Sequence, residues 1–317
     1  MLRFSRLRTS LKGAVALALI TPAALQAQAQ PAPATAPVAG PAAATTSQSL
    51  AARPAMWRVS DADTTIHILG TVHILRPGTT FLTGQVESAF NAADTLVLEI
   101  IQPEAAAMQQ GMASRAMAQD GRTLRSRMND AQRANYERAL TSLGIPHQAF
   151  DPLKPWVPAM VLSMMPYQRL GYDPASGVEM VLTRAARERG KQIAELETFE
   201  RQLGFFDSMD IPTQLNFLDE TAKHAVEAND RLTPMVTAWA NGDPERLGTM
   251  MNEGLSDPKV AEILLTNRNR EWTTWLRDKI ALRGGNYFVA VGAGHLSGRD
   301  NVIDMLRAQG LTVERVQ

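Results

Sequence analysis

Short apolar runs near the two ends of the chain, with apolar positions at helical spacing between them, separate sheet-forming from helix-forming regions. Residues 56–60 and 64–70 are β-branched or apolar runs divided by Asp61-Ala62-Asp63, which predicts a hairpin leading into a sheet. A helix over about 81–92 and a buried strand over 95–101 follow. Strand, helix, strand is the βαβ unit, whose two strands run parallel and end on the same edge. From 103 to about 165 the spacing is helical, with amphipathic stretches at 104–117 and 130–143 and a break at the proline-rich segment 151–156. A helix over 177–189, a short strand over 192–196 and further helices over 212–283, with a turn at Asn241-Gly242-Asp243-Pro244, come next. The chain closes with a buried strand over 286–291, Ser297 as helix cap, a helix over 301–309 stopped by Gly310, and a strand over 312–316. The pattern predicts an α/β fold. Its mixed central sheet is built from both ends of the chain, with a large helical insertion over its C-terminal edge.

The first residues change the picture. Arg3, Arg6, Arg8 and Lys12 precede an almost wholly apolar stretch, 13–25, and Ala27-Gln28-Ala29 offers the small residues that a signal peptidase reads. Residues 1–29 are therefore expected to be a signal peptide, too short in its apolar part to span a bilayer. Residues 30–53 are rich in Pro, Ala, Thr, Ser and Gln, which predicts a disordered linker. The folded domain is expected over 54–317, outside the cytoplasm, periplasmic or secreted, with no membrane span once the signal is removed. The full chain carries 32 basic and 32 acidic residues, so loss of the basic leader leaves the remainder acidic, which argues against nucleic acid as a partner. With no cysteine, the fold has neither disulfides nor a cysteine-linked lipid.

Candidate chemistry stands where strands end. Ile68-Leu69-Gly70-Thr71-Val72-His73 and Val289-Ala290-Val291-Gly292-Ala293-Gly294-His295 both read strand, then Gly-x-x-His. Glycine there permits backbone angles that other residues cannot reach and lets main chain approach a ligand. Ligand sites of open α/β sheets lie at that edge. The sequence has five histidines, and two in matching positions point to a shared site. His67, inside its strand, reads as a packed or rim residue, and His147 and His224 fall in the helical region. Glu99 ends the buried run Leu96-Val97-Leu98, where an uncompensated carboxylate would cost several kcal/mol. A metal, a cationic partner or a reacting proton must offset that. Two imidazoles and a carboxylate suit a divalent transition metal such as zinc, manganese or cobalt; structural pairing of Glu99 with an arginine is the competing reading. Glu179 stands in the first turn of a helix, where the dipole alone favours an acid. Of Glu195 and Glu197 at most one is expected to reach the site. Arg268, between Asn267 and Asn269 in a polar helix, reads by itself as a surface residue. No serine-hydrolase elbow, His-Glu-x-x-His, phosphate loop or dinucleotide fingerprint occurs.

Leu69-Gly70-Thr71-Val72-His73, Leu96-Val97-Leu98-Glu99, Gly177-Val178-Glu179, Leu196-Glu197-Thr198, Arg268-Asn269 and Val291-Gly292-Ala293-Gly294-His295 together resemble the TraB/PrgY/GumN family, over nearly all of residues 55–316. That family is grouped with Tiki-type metalloproteases. The resemblance implies His73 and His295 as metal ligands, Glu99 and Glu179 as acids of the site, and Arg268 as a polar stabiliser. The expected function is a metal-dependent hydrolase acting on a peptide bond or a small-molecule substrate. The rival expectations are a non-catalytic protein that sequesters a peptide or signal in the envelope, and capture of haem or a metal ion through the same histidines.

Overall fold

The computed structural model describes residues 50–252, 255–282 and 284–317. The predicted signal peptide, and all but the last four residues of the predicted linker, lie outside the described residues. Among them, six strands form one mixed sheet in the order β4-β3-β5-β2-β1-β6. β1 (Met56–Ser60) and β2 (Thr64–Thr71) are the expected antiparallel hairpin. β3 (Thr95–Leu98), β4 (Gln192–Glu195) and β5 (Gly285–Gly292) lie parallel to β2, with β5 between β2 and β3. β6 (Val313–Arg315) pairs antiparallel with β1 at the far edge. The strands that flank β5 therefore come from the beginning of the chain, as the pattern at its two ends predicts.

Successive strand residues face opposite sides, and the two sides fill different cores. Leu69, Leu96, Leu98, Phe288 and Ala290 pack with Val86 and Phe90 of α1 (Gly84–Ala92) and with Leu182 of α5 (Val178–Glu188). Ile66, Ile68, Val97, Val289 and Val291 pack with Trp272 and Leu276 of α11 (Asn267–Leu282) and with Ile303 and Leu306 of α12 (Val302–Ala308). The sheet is thus sandwiched by helices. The insertion has a core of its own, in which Tyr136 and Leu140 of α3 (Asp130–Ser142), Trp156 and Leu162 of α4 (Trp156–Arg169) and Leu215 and Leu218 of α7 (Ile211–Val226) are buried together. α2 (Ala105–Ala116) and α6 (Phe199–Asp207) connect it to the strand ends. After α8 (Ala228–Ala240), the expected turn holds Gly242 at φ 65° and leads into α9 (Pro244–Asn252). A short α10 (Pro258–Ala261) and a π-helical stretch, Glu262–Thr266, precede α11.

Two sequence expectations need correction. Ser297 does not cap the last helix: its buried hydroxyl donates to the carbonyl of Ala293 at 3.3 Å, and Asn301 accepts from the backbone N–H of Asp304 at 2.9 Å. A turn with Asp300 at φ 56° delays the helix until Val302. Gly70 and Gly292 also have no left-handed backbone, and Gly292 sits at φ −50°. They serve close approach instead: a Cβ on Gly292 would lie 3.1 Å from a Glu99 oxygen, and one on Gly70 would lie 3.2 Å from the Ala293 Cβ.

Candidate functional site

In the β2–β5 ladder Thr71 stands opposite Gly292, so the two Gly-x-x-His segments leave the sheet side by side. Beside them Glu99 follows the end of β3 and Glu197 lies two residues past the end of β4. Backbone pairing runs one step past the strands, with the N–H of Glu197 donating to the carbonyl of Glu99 at 2.9 Å. Two carboxylates are thereby brought together in a buried place, with Glu99 at 7 % and Glu197 at 3 % exposure. Such an arrangement persists only around a cation. That cation is Arg268, itself buried, from the first turn of α11.

Arg268 uses its whole fork. Nε donates to Glu197 at 2.9 Å, one terminal nitrogen donates to Glu99 at 2.6 Å and Glu197 at 3.0 Å, and the other donates to the Leu264 carbonyl at 3.0 Å and faces His295 Nε2 at 3.1 Å. These contacts engage the five N–H donors of a guanidinium. Trp272 adds an indole N–H to Glu197 at 3.0 Å, and its ring lies 4.6 Å from the guanidinium carbon. The second Glu99 oxygen accepts the N–H of Gly292 at 2.7 Å. Burial, the largest single effect, would raise the Glu99 pKa, but the charges of Arg268, His295 and His73 and the Gly292 N–H together outweigh it and hold it at about 2. Glu197 moves the other way: burial and the neighbouring Glu99 raise it, against the pull of Arg268.

His295 is 5 % exposed, with its ring centroid 4.3 Å from that of Trp272 and tilted 44° to it, and is bonded through Nδ1 to the side-chain oxygen of Asn269 at 2.6 Å. Burial, then the charge of Arg268, lower its pKa to about 3, so the ring is neutral at pH 7. His73 is its opposite. Its side chain is 63 % exposed, and Nδ1 lies 2.8 Å from Glu179, which also accepts from the hydroxyl of Thr71. The Glu179 charge raises the His73 pKa to about 9 against the effect of burial, although water screens part of that attraction at so exposed a ring. Burial, the largest single effect, would raise Glu179, but the His73 charge and the hydrogen bonds from His73 and Thr71 together lower it. α5 starts where it does because the N–H of Val178 donates to Val72 at 3.1 Å, and Gly177 passes so close to the His73 carbonyl that a Cβ would collide with it.

The sequence-derived residues thus form two groups along one edge. Glu99, Arg268 and His295 belong to the α11 side; His73 and Glu179 belong to the α5 side. Arg268 is a buried clamp and not a surface residue. Of the two acids around the end of β4, Glu197 reaches the cluster, whereas Glu195 accepts the backbone N–H of Ile101 at 2.7 Å. Among the described residues no three His, Asp or Glu side chains form a group that could hold a metal ion. Sequence reasoning named Asn269 beside Arg268 without giving it a role, and missed Trp272 and Gln202, whose amide reaches Glu99 at 3.4 Å. The signal for Asn269 and Trp272 was available: they lie one and four residues beyond Arg268 on the same helix.

A helix-covered mixed sheet whose parallel strand ends deliver paired Gly-x-x-His loops beside a Glu–Arg–Glu clamp defines the class of molecule. Residues 55–315 match the TraB/PrgY/gumN family model, and the chain belongs to that family. It is 28 % identical over 243 residues to the uncharacterized protein YbaP of Escherichia coli (strain K12), covering 76 % of this chain and 87 % of that protein. It is 23 % identical over 275 residues to an uncharacterized protein of Treponema pallidum (strain Nichols), covering 80 % of each. No solved structure matches.

Proposed function

We propose that this protein is an exported hydrolase that cleaves a carbonyl substrate, a peptide bond before others, at the edge where His73 and His295 emerge. The observation that carries the reading is the delivery of both histidines from the paired ends of β2 and β5, one ring protonated and exposed, the other neutral and buried. Export rests on the leader at residues 1–29, and cell fractionation tests it. His73, charged through Glu179, is placed to give a proton to a leaving group from the open side. His295 keeps an acceptor nitrogen toward the cluster. Arg268 holds Glu99 and Glu197, and its donors are already engaged, so the oxyanion-stabilising role expected of it would require a partner to be released. Glu99, at about 2 and committed to Arg268, is a weak base; Glu179, although also lowered, is the acid in contact with the exposed His73 and is the acid–base candidate by position.

Should zinc, manganese or cobalt bind here, His73, after losing the extra proton that Glu179 holds on it, and His295 Nε2 and Glu99, after release from Arg268, would be the residues to hold the ion. Bound there, the ion would polarise the carbonyl and acidify water. A second reading has its own support. Since both oxygens of Glu99 and the donors of Arg268 have partners within the protein, the edge is self-sufficient without an ion, as a peptide-binding site needs. Elemental mass spectrometry on wild type, His73→Ala and His295→Ala, purified without chelator, separates the two when combined with a peptide-cleavage screen. About one equivalent of metal, lost in both variants together with cleavage, supports the hydrolase; saturable, chelator-insensitive peptide binding without product overturns it in favour of the binding protein.

A further inference from the structure

The hydrogen bonds around His295 have only one consistent set of directions. The side-chain nitrogen of Asn269 donates to the backbone carbonyl of Asp300 at 2.7 Å, and that carbonyl can do nothing but accept. The Asn269 amide is therefore oriented, because turning it over would set its oxygen against the Asp300 oxygen. Its oxygen then faces His295 Nδ1 at 2.6 Å, so Nδ1 must carry the proton. On the other side of the ring, Nε2 lies 3.1 Å from a terminal nitrogen of Arg268, which has only N–H groups to offer. A proton on Nε2 would meet a donor head-on. Both ends of the ring demand the same form.

We infer that Asn269, together with Arg268 at the other end of the ring, sets the tautomer of His295, keeping the proton on Nδ1 and the lone pair on Nε2, toward Glu99 and Arg268. The anchor of the arrangement is Asp300, at φ 56°, a left-handed conformation that aspartate tolerates better than most residues and that turns the chain ahead of α12. Asn269 is thus a positioning residue that acts through His295. A histidine in the other tautomer would present an N–H to the site, and could neither accept a proton nor bind a metal through Nε2. The inference concerns the resting protein and holds whether or not the edge turns over a substrate.

The test is long-range ¹H–¹⁵N correlation on the metal-free full chain labelled with ¹⁵N-histidine, with the His295 signals identified by their loss in His295→Gln. At neutral pH the expected wild-type pattern is a neutral ring with Nδ1 protonated and Nε2 bare. Asn269→Asp retains an oxygen opposite Nδ1 and is expected to keep a proton there. Asn269→Leu, similar in size but without an acceptor, leaves Arg268 alone to favour this form and is expected to shift the Nδ1 signals and admit a share of the other tautomer, and the other histidine signals report whether it folds. A wild-type ring protonated on Nε2, or a folded Asn269→Leu protein with an unchanged His295 pattern, would overturn the assignment. If Asn269→Leu does not fold, the wild-type and Asn269→Asp spectra decide, and loss of the Nδ1 proton in either overturns it. Metal content and cleavage do not enter these readouts, so failure here is distinct from failure of the hydrolase reading.

Discussion

His295 and His73 are the same residue type after the same motif, yet their surroundings drive them apart. In the folded protein the His295 pKa falls from 6.5 to about 3, through burial and then Arg268, so between those values the unfolded chain binds a proton that the native state refuses. Its stabilising share is complete above pH 6.5 and is lost as pH falls toward 3. His73 works in reverse, raised to about 9 by Glu179: its share is complete below pH 6.5 and is lost as pH rises through 9. Glu99, depressed to about 2, enters only below its ordinary 4.5. Urea unfolding at pH 7 and pH 5 should therefore show a loss in wild type that is smaller in His295→Gln. Parallel losses in the two proteins would mean that His295 is not the group that refuses the proton. Which histidine would be charged was not legible in the sequence, because a pKa shift depends on neighbours brought from distant parts of the chain. The need for a partner at Glu99 was legible, since a carboxylate closing a buried apolar run must be offset by something.

At the scale of elements, the site depends on how tightly loops approach helix starts. Val178 begins α5 by donating to Val72, and Gly177 touches the His73 carbonyl where a side chain has no room. Gly177→Ala must push that loop outward, separating His73 from Glu179 while leaving the apolar face of α5 on the sheet. The expected result is a His73 pKa that falls back toward 6.5, read by NMR titration, with a loss of stability of about 1–3 kcal/mol from overpacking. An unchanged titration would show that the loop absorbs the methyl group elsewhere. Strand and helix identities were legible here from hydrophobic period and breakers. Their last residues were not: the last helix starts at Val302 behind Asn301 because the turn through Asp300 consumes the residues after Ser297, and no periodicity encodes that turn.

In the whole molecule, Arg268 fastens the C-terminal helical layer to strand ends from the first two-thirds of the chain, through Glu99 after β3 and Glu197 after β4. Truncating one member of a buried ion cluster leaves charge without a partner and costs about 3–5 kcal/mol. Arg268→Ala should therefore lower stability by that order in urea unfolding, and Glu197→Gln should weaken it less, because an amide oxygen still accepts from the guanidinium and from Trp272. A loss under 1 kcal/mol in Arg268→Ala would show that water reaches and relaxes the cluster. Hydrophobic period, the two Gly-x-x-His segments with the other short motifs, and the apolar run ending in Glu99 were enough to establish an α/β sheet made from both ends of the chain, its family and most of its candidate residues, because those signals are local or repeat at fixed spacing. Tertiary structure alone decided that Arg268 lies inside and not on the surface, that Glu197 shares it with Glu99, that Asn269 orients His295, and that the two histidines carry different charge. Each of those depends on groups far apart in sequence being held within hydrogen-bonding distance away from water, where burial and a neighbouring charge, not residue type, set the chemistry.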